Sequence, residues 1–588
     1  MSVLSTSTSK FRSDIRRIFQ DPVLAIGLII VVLFILIAII YPLAAMLGVA
    51  FSTEGAEKLQ RFLAQAVYRN IILNTLILGA VVGVLGTALG FLFAFVQVKV
   101  NVPFKRFIHI MALVPVISPP FALATAVLIL FGRNGMISKS IFGVRADIHG
   151  LGGLSFVLML SLFTVSYLNL RGMMESLDPA LDEAAVNLGA SRWRVFRTVT
   201  LPMLLPGILG SFLLLFVEAI ADLGNPLVLG GDFEVLATRI YVSVVGLYDT
   251  TAAAVFSIVL LLPSLIVFLV QRYWVSRASV VSVSGKPSGT PYLITNSWVR
   301  WLLFGLVMFF CLLIILIYAT IIVGAFTRVI GVNNSFTLGN FEFVLTGYGS
   351  KAMVDTTLFS IIATPIAGLL GMIIAFIVVR TVFPGRNVLD FATMLGIAVP
   401  GTIVGIGFLL AFNTPTQIAL PFFTGADGQP FYFTLIPKLT GGRALFGGAL
   451  AIVLVYIVRS VPAALRSGVS ALSQIDPSIE EASVSLGADN AQTFRKITLP
   501  LIRPAFLSGL IYAFARSMTT ISAIVFLTTP QTRIMTQQIL NETENGRYGN
   551  AFAYCVILIG IVLVAIGSMY FIVGAAFGAN RPTQGGAQ

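Results

Sequence analysis

Twelve apolar runs, each long enough to cross the roughly 30 Å hydrocarbon core of a bilayer, alternate with short polar segments along this chain. Six fall near 22–50, 70–98, 107–132, 151–174, 203–228 and 251–272, and six near 298–325, 354–379, 388–413, 444–464, 502–529 and 550–575. Each predicts a transmembrane helix, so the expected fold is an all-α polytopic membrane protein of twelve spans. The first run follows Lys10, Arg12, Arg16 and Arg17. It exceeds the ~7–15 apolar residues of a signal-peptide core and ends at no small-residue cleavage site, which predicts an uncleaved anchor.

The polar segment after the fourth run of each set is written twice, 298 residues apart. The first copy reads Asp178-Pro179, Glu183-Ala184-Ala185, Gly189 and, after nine residues, Val199-Thr200-Leu201-Pro202 with Pro206 beyond. The second reads Asp476-Pro477, Glu481-Ala482-Ser483, Gly487 and, after nine residues, Ile497-Thr498-Leu499-Pro500 with Pro504 beyond. Identical spacing over such a length is an internal duplication, and it requires an even number of spans per half if both loops face one compartment. Asp-Pro predicts the start of a short helix, Gly189 and Gly487 its end, and Arg192, Trp193 and Arg194 the next helix. Further matches lie at an offset of 281: Asn74-Thr75 with Asp355-Thr356, Gly90 to Phe95 with Gly371 to Phe376, and Pro103 and Pro119 with Pro384 and Pro400. Seventeen residues are therefore gained between Pro400 and Asp476. The polar, aromatic stretch from Asn413 to Gly442, on the outer face, is their expected place.

Composition agrees with the bilayer: 57% of residues are hydrophobic, only 10% are charged, and the mean hydropathy is +0.97. With the N-terminus inside, the cytoplasmic segments hold 23 Lys and Arg against 11 Asp and Glu, and the external segments 13 against 11. The net charge of +13 thus reports topology through the inside-positive bias of short loops, and no nucleic-acid partner is expected from it. Cys311 and Cys555 both lie in apolar runs and build neither a disulfide framework nor a metal site. The chain has no Gly-x-x-x-x-Gly-Lys-Ser/Thr phosphate cradle, so any ATP-driven motor is expected on another polypeptide. The expected organisation is a first six-helix repeat at 1–275, a cytoplasmic linker at 276–297, a second repeat at 298–579 and a tail at 580–588.

The duplicated segment resembles the EAA loop of the membrane subunits of ATP-binding-cassette importers, with Ser483 for the second Ala as its one departure. The resemblance implies a type I importer transmembrane domain of two parallel six-helix repeats in a bacterial inner membrane, with both termini cytoplasmic. It also implies that Glu183, Ala184, Ala185 and Gly189, and Glu481, Ala482, Ser483 and Gly487, couple to two copies of an ATPase subunit. ATP and Mg2+ are then held by those subunits and no cofactor by this chain, and a solute-binding protein delivers the substrate. Phe131 to Gly135, Ala221 to Pro226, Gly230 to Phe233, Ala515 to Ala523 and Glu544 to Gly549 are similar to fused ferric-iron permeases. Related permeases for phosphorylated sugars or phosphonates carry comparable strings.

Three charges are counted inside apolar runs and not with the flanking segments: Glu218, Asp222 and Arg516. Such residues mark a pathway or a buried pair. Glu218 maps onto Arg516 at the offset of 298, and Asp222, one helical turn further on, maps onto Thr520. A structural ion pair and a polar gate or substrate site both remain open here. Lone His109 and His149, in or near loops, are expected to be solvated or to hydrogen bond locally, and not to ligate. A secondary transporter also duplicates its halves and buries carboxylates, but it has no use for two such loops.

Overall fold

A computed structural model describes residues 22–119, 121–273, 293–294, 296–381, 385–424 and 430–578. The basic N-terminal segment, most of the linker at 276–297 and the tail at 580–588 lie outside the described residues. The first repeat contains α1 (Leu24–Ala50), α2 (Ala66–Lys99), the pair α3 (Lys105–Ile117) and α4 (Ala122–Phe131), and α5 (Leu151–Ser176). Then come α6 (Pro179–Asn187) in the duplicated loop, α7 (Arg192–Ala221) and α8 (Thr250–Tyr273). The second repeat has α9 (Ser297–Ala325), a hairpin of β1 (Thr327–Val329) and β2 (Asn333–Phe336), and α10 (Gly349–Arg380). The pair α11 (Arg386–Ala398) and α12 (Gly401–Phe412) follows, then a second hairpin of β3 (Thr416–Thr424) and β4 (Pro430–Ile436), and α13 (Ala449–Ser473). The chain closes with α14 (Pro477–Ser485) in the second loop, α15 (Arg495–Thr519) and α16 (Tyr548–Phe571).

The third span of each repeat is not the straight helix expected from the runs 107–132 and 388–413. α3 and α4 meet at 108°, and α11 and α12 at 103°. The cause is local: Pro115, Pro119 and Pro400 cannot donate an N–H to continue the helical ladder. The broken backbone is kept from lipid by protein, as bilayer depth requires, for Phe121 is 1% and Val399 2% exposed. Each bent pair still crosses. Lys105 at the start of α3 donates to the Gln97 carbonyl near the end of α2, while Met136, beyond α4, lies against Gly331 in the β1–β2 turn at the opposite side. Likewise Arg386 donates to Thr381 O, and Phe412 O at the far end accepts from Leu439 N beside the second hairpin. Counting each pair once gives twelve crossings among the described residues, six per repeat.

Packing repeats along with the sequence. α2 lies along α5 and α10 along α13, and the matched glycines explain how closely. A Cβ on Gly90 would stand 2.6 Å from Ser166, and one on Gly371 2.5 Å from Ala464, so small residues let these backbones approach. The first spans are exchanged: α1 packs on α10 and α12 of the other repeat, and α9 on α2, α3 and α4. Tyr41 of α1 donates to Ala411 O of α12 at 3.3 Å. The hairpins are the strands that the all-helical expectation omits, and β3–β4 occupies the seventeen-residue gain.

Candidate transport pathway and coupling loops

Both duplicated loops fold alike because the same residues cap them. Asp178 accepts from Ala180 N at 3.0 Å and Asp476 from Ser478 N at 2.9 Å, each at the start of a nine-residue helix. That bond holds the Asp476 carboxyl below the usual carboxylate range. Gly189 and Gly487 end the helices at φ +85° and +89°, the left-handed region where only glycine avoids steric cost. A Cβ at either would meet nothing within 4 Å, so the constraint is backbone conformation and not crowding inside this chain. After the second short helix, a single π-turn in each repeat (Phe196–Thr200 and Phe494–Thr498) leads into the Leu-Pro that starts the fifth span proper.

Glu183, Ala184, Glu481 and Ala482 are exposed, and neither glutamate has a hydrogen-bond or ion-pair partner among the described residues. Leu188 and Leu486, one residue before the glycines, are each 89% exposed. An apolar side chain is thus left bare at equivalent places in both repeats, a feature that motif spacing alone does not show. Ala185 is half-buried, whereas Ser483 is buried and shares a 2.9 Å hydrogen bond with Thr493. The residues matching that pair in the first loop are Ala185 and Val195, so a polar couple stands where the first repeat has an apolar one.

Near the ends of their fifth spans the two repeats meet through unlike residues. Arg516 Nη2 of α15 lies 3.5 Å from Glu218 Oε1 of α7, with 29% and 33% of the side chains exposed. Asp222 does not continue the face of Glu218. Helix α7 ends at Ala221, and Asp222 leaves it with ψ 131°, as Thr520 leaves α15 with ψ 132°. The runs 203–228 and 502–529 therefore overstate the helices. The Asp222 carboxylate turns to accept from Asn225 N at 3.0 Å and Nδ2 at 2.9 Å, capping the short helix Gly224–Leu229.

A fourth intramembrane charge joins them. Arg459 of α13 is 6% exposed, and its Nη1 donates to Gly396 O and Val399 O at 3.0 Å each, satisfying carbonyls at the break between α11 and α12. Its charge bears on both Glu218 and Arg516. The sequence shows Arg459 inside the run 444–464, yet the charge balance counts it with the cytoplasmic segments; burial corrects that. The one ion pair among these four, Glu218 with Arg516, can hold a pathway shut while it is formed and present polar surface when it parts.

His149 Nδ1 lies 2.8 Å from Asp147, the local bonding expected of it, whereas His109 Nδ1 of α3 lies 2.7 Å from the Tyr167 hydroxyl of α5, a contact between helices. The His149 bond, with Arg133 nearby, draws the Asp147 carboxyl down to about 2. Among the described residues no group of three or more His, Cys, Asp or Glu gathers as a metal site.

The profile of the binding-protein-dependent transport system inner membrane component family matches residues 86–280 and again 367–578, once in each repeat. The ferric transport system permease protein FbpB of Actinobacillus pleuropneumoniae is 34% identical over 593 aligned residues, covering 97% of this chain and 81% of the relative. The putative ferric transport system permease protein FbpB 1 of Haemophilus influenzae is 32% identical, covering 87% and 79%. The molybdenum transport system permease protein ModB of Escherichia coli strain K12 is 27% identical over 197 residues, 32% of this chain and 85% of the relative. A duplicated profile, twelve crossings and similarity along nearly the whole length agree: the chain belongs to the binding-protein-dependent transport system inner membrane component family, as a fused two-repeat permease.

Proposed function

We propose that this protein is the permease of an ATP-driven importer that passes ferric iron from a solute-binding protein to the cytoplasm. Two copies of a separate ATPase dock on the loops, with Glu183, Ala184, Ala185 and Gly189 at one and Glu481, Ala482, Ser483 and Gly487 at the other. Those subunits hold ATP and Mg2+, and no cofactor sits in this chain. Repeats at 1–275 and 298–579, joined by the linker 276–297, alternate access with both termini cytoplasmic. Glu218, Asp222 and Arg516 line the pathway.

The observation that carries this reading is the pair of loops at one side of the membrane, each exposing a bare leucine and a glutamate that has no partner among the described residues. Iron as the solute is supported by the two ferric relatives, which match most of the chain. An anionic solute is the second reading, favoured by the guanidinium groups of Arg459 and Arg516 at the centre, since arginine suits oxyanions.

The test is reconstitution of the permease in vesicles with the ATPase that co-purifies with it and the binding protein from the same membranes. ATP-dependent uptake of radioactive ferric iron is expected, with phosphate, molybdate and sugar phosphates failing to compete. Uptake driven by an ion gradient with no ATPase present would sink the reading in favour of a secondary transporter.

A further inference from the structure

Behind each exposed glutamate stands a second carboxylate, facing inward. Asp182 Oδ2 lies 2.6 Å from Lys99 Nζ at the last residue of α2, with the side chains only 15% and 8% exposed. Its other oxygen accepts from the Thr200 hydroxyl at 3.2 Å, in the π-turn that leads into α7. In the second repeat Glu480 Oε2 lies 3.0 Å from Arg380 Nε at the last residue of α10, with 19% and 11% exposed. Its other oxygen accepts from the Thr498 hydroxyl at 2.8 Å, and Arg380 Nη2 also donates to Ile475 O at 3.0 Å. One carboxylate thus ties three segments together in each repeat: the end of the second span, the loop helix and the start of the fifth span.

The residue types differ, Lys with Asp in one copy and Arg with Glu in the other, while the connection is kept. A shorter cation meets a shorter acid by another route to the same join. Two loosely placed surface charges would contribute little, but these are largely withdrawn from water and each acid has a second donor.

The far end of the second span is tied as well. Thr75 of α2 accepts from Leu236 N at 2.9 Å, and Thr356 of α10 from Met535 N at 2.8 Å. Leu236 and Met535 lie beyond the turn where Asp222 and Thr520 leave the fifth span. Helix α2, at 34 residues, is a rod of about 50 Å. One uninterrupted helix therefore joins the loop at one side to the segment after the pathway residues at the other.

We propose that Lys99–Asp182 and Arg380–Glu480 are two copies of a transmission clamp that makes each second span move with its loop helix. Asp182, Lys99, Glu480 and Arg380 are positioning residues: they touch neither solute nor ATPase. The proposal rests on the reading of the loops as ATPase docks. Coupling carried by such a chain of contacts requires a direct test.

The test uses the complete importer in vesicles, scoring four quantities: permease in the membrane, ATPase co-purified, ATP hydrolysed and ferric iron taken up. Asp182→Asn and Lys99→Gln are expected to retain the permease and the bound ATPase, to hydrolyse ATP, and to lose about tenfold in iron moved per ATP. The double variant Lys99→Arg with Asp182→Glu, which installs the second repeat's chemistry, is expected to restore that ratio, as is Arg380→Lys with Glu480→Asp in the other repeat. An unchanged ratio in the single variants would overturn the clamp, and so would uptake that falls only in step with permease abundance. Failure of both conservative doubles to restore the ratio would overturn it too. If no ATPase co-purifies with the unaltered permease, the docking reading fails first and the clamp with it, a result distinct from any of these.

Discussion

The loop at 178–200 and the loop at 476–498 superpose in role residue by residue: an aspartate cap, an inward acid, an outward glutamate, a bare leucine and a left-handed glycine. The ends of the two fifth spans do the opposite. There Glu218 faces Arg516, and Asp222 with Asn225 stands where the second repeat has Thr520 and Ala523. On the proposed reading, loops that dock on two equal partners at a distance from each other have no reason to diverge. Equivalent residues that meet one another cannot stay the same if they are charged, because two glutamates or two arginines in contact would repel. Fusion of the repeats into one chain is what allows the two members of that contact to take opposite signs.

The largest expected effect comes from undoing that opposition. Glu218→Arg would place three guanidinium groups around one break, and even Glu218→Gln leaves Arg516 without its carboxylate. Loss of one member of a fully buried pair costs about 3–5 kcal/mol. Here a third of each side chain is open, so about 2–3 kcal/mol is expected for Glu218→Gln, read as a lowered Tm together with lost uptake. The exchange Glu218→Arg with Arg516→Glu should recover part of both. Strictly additive losses across the cycle would mean the contact is not what holds the centre together.

The next test presses on the likeness of the loops. Gly189→Val and Gly487→Val force a branched residue into the left-handed region at about 1–2 kcal/mol each, and the distorted loop should cut uptake about tenfold or more with the permease still in the membrane. Asparagine tolerates that conformation, so Gly189→Asn and Gly487→Asn should retain far more activity. Equal sensitivity of the two sites sustains the comparison. A large loss at one and none at the other would break it.

A smaller effect is expected at the one place where the loops differ internally. Ser483→Ala or Thr493→Val strands a buried hydroxyl and should cost about 1–2 kcal/mol. The double variant replaces the polar couple with the first loop's residue types, and it should be close to neutral. Thermal denaturation of the singles and the double in detergent decides it; a double worse than either single would mean the hydroxyls serve more than each other.

Much of this symmetry is legible in the sequence because it is written at fixed offsets. The offset of 298 alone pairs Glu218 with Arg516, which the structure brings within 3.5 Å. The clamp is harder to see, since Lys99 and Arg380 match at 281 while Asp182 and Glu480 match at 298, with the inserted hairpin between. Arg459 hides because one charge at the edge of an apolar run looks like a loop residue until packing buries it. The prolines announce a break in each third span, but its angle and the direction of Asp222 depend on what packs there. The run of aromatic residues followed by Thr434 and Ile436 in Pro430–Ile436 carries a strand signal. The exchange of first spans has no local signature, because it is a choice of tertiary partner.

The smallest expected effect concerns the linker, where the two clamps stop being alike. Ile294 N donates to Lys99 O at 2.8 Å, Asn101 N donates to Ile294 O at 3.4 Å, and Ile294 lines a small cavity with Lys99, Asp182 and Thr200. In the second repeat, Thr381, the residue after Arg380, bonds back to Ile377 O within its own helix through both its N–H and its hydroxyl, its carbonyl accepts from Arg386, and among the described residues no linker segment pairs with it. Ile294→Pro removes the stronger bond without touching any charge, whereas Ile294→Val keeps it. A loss of about 1 kcal/mol is expected, visible as faster proteolysis between the repeats, with iron moved per ATP held within about twofold of the unaltered protein. If instead Ile294→Pro lowers that ratio as far as Asp182→Asn does, the linker is a working part of the first clamp. The two loops would then be equal in what they show their partners and unequal in how they pass the motion on.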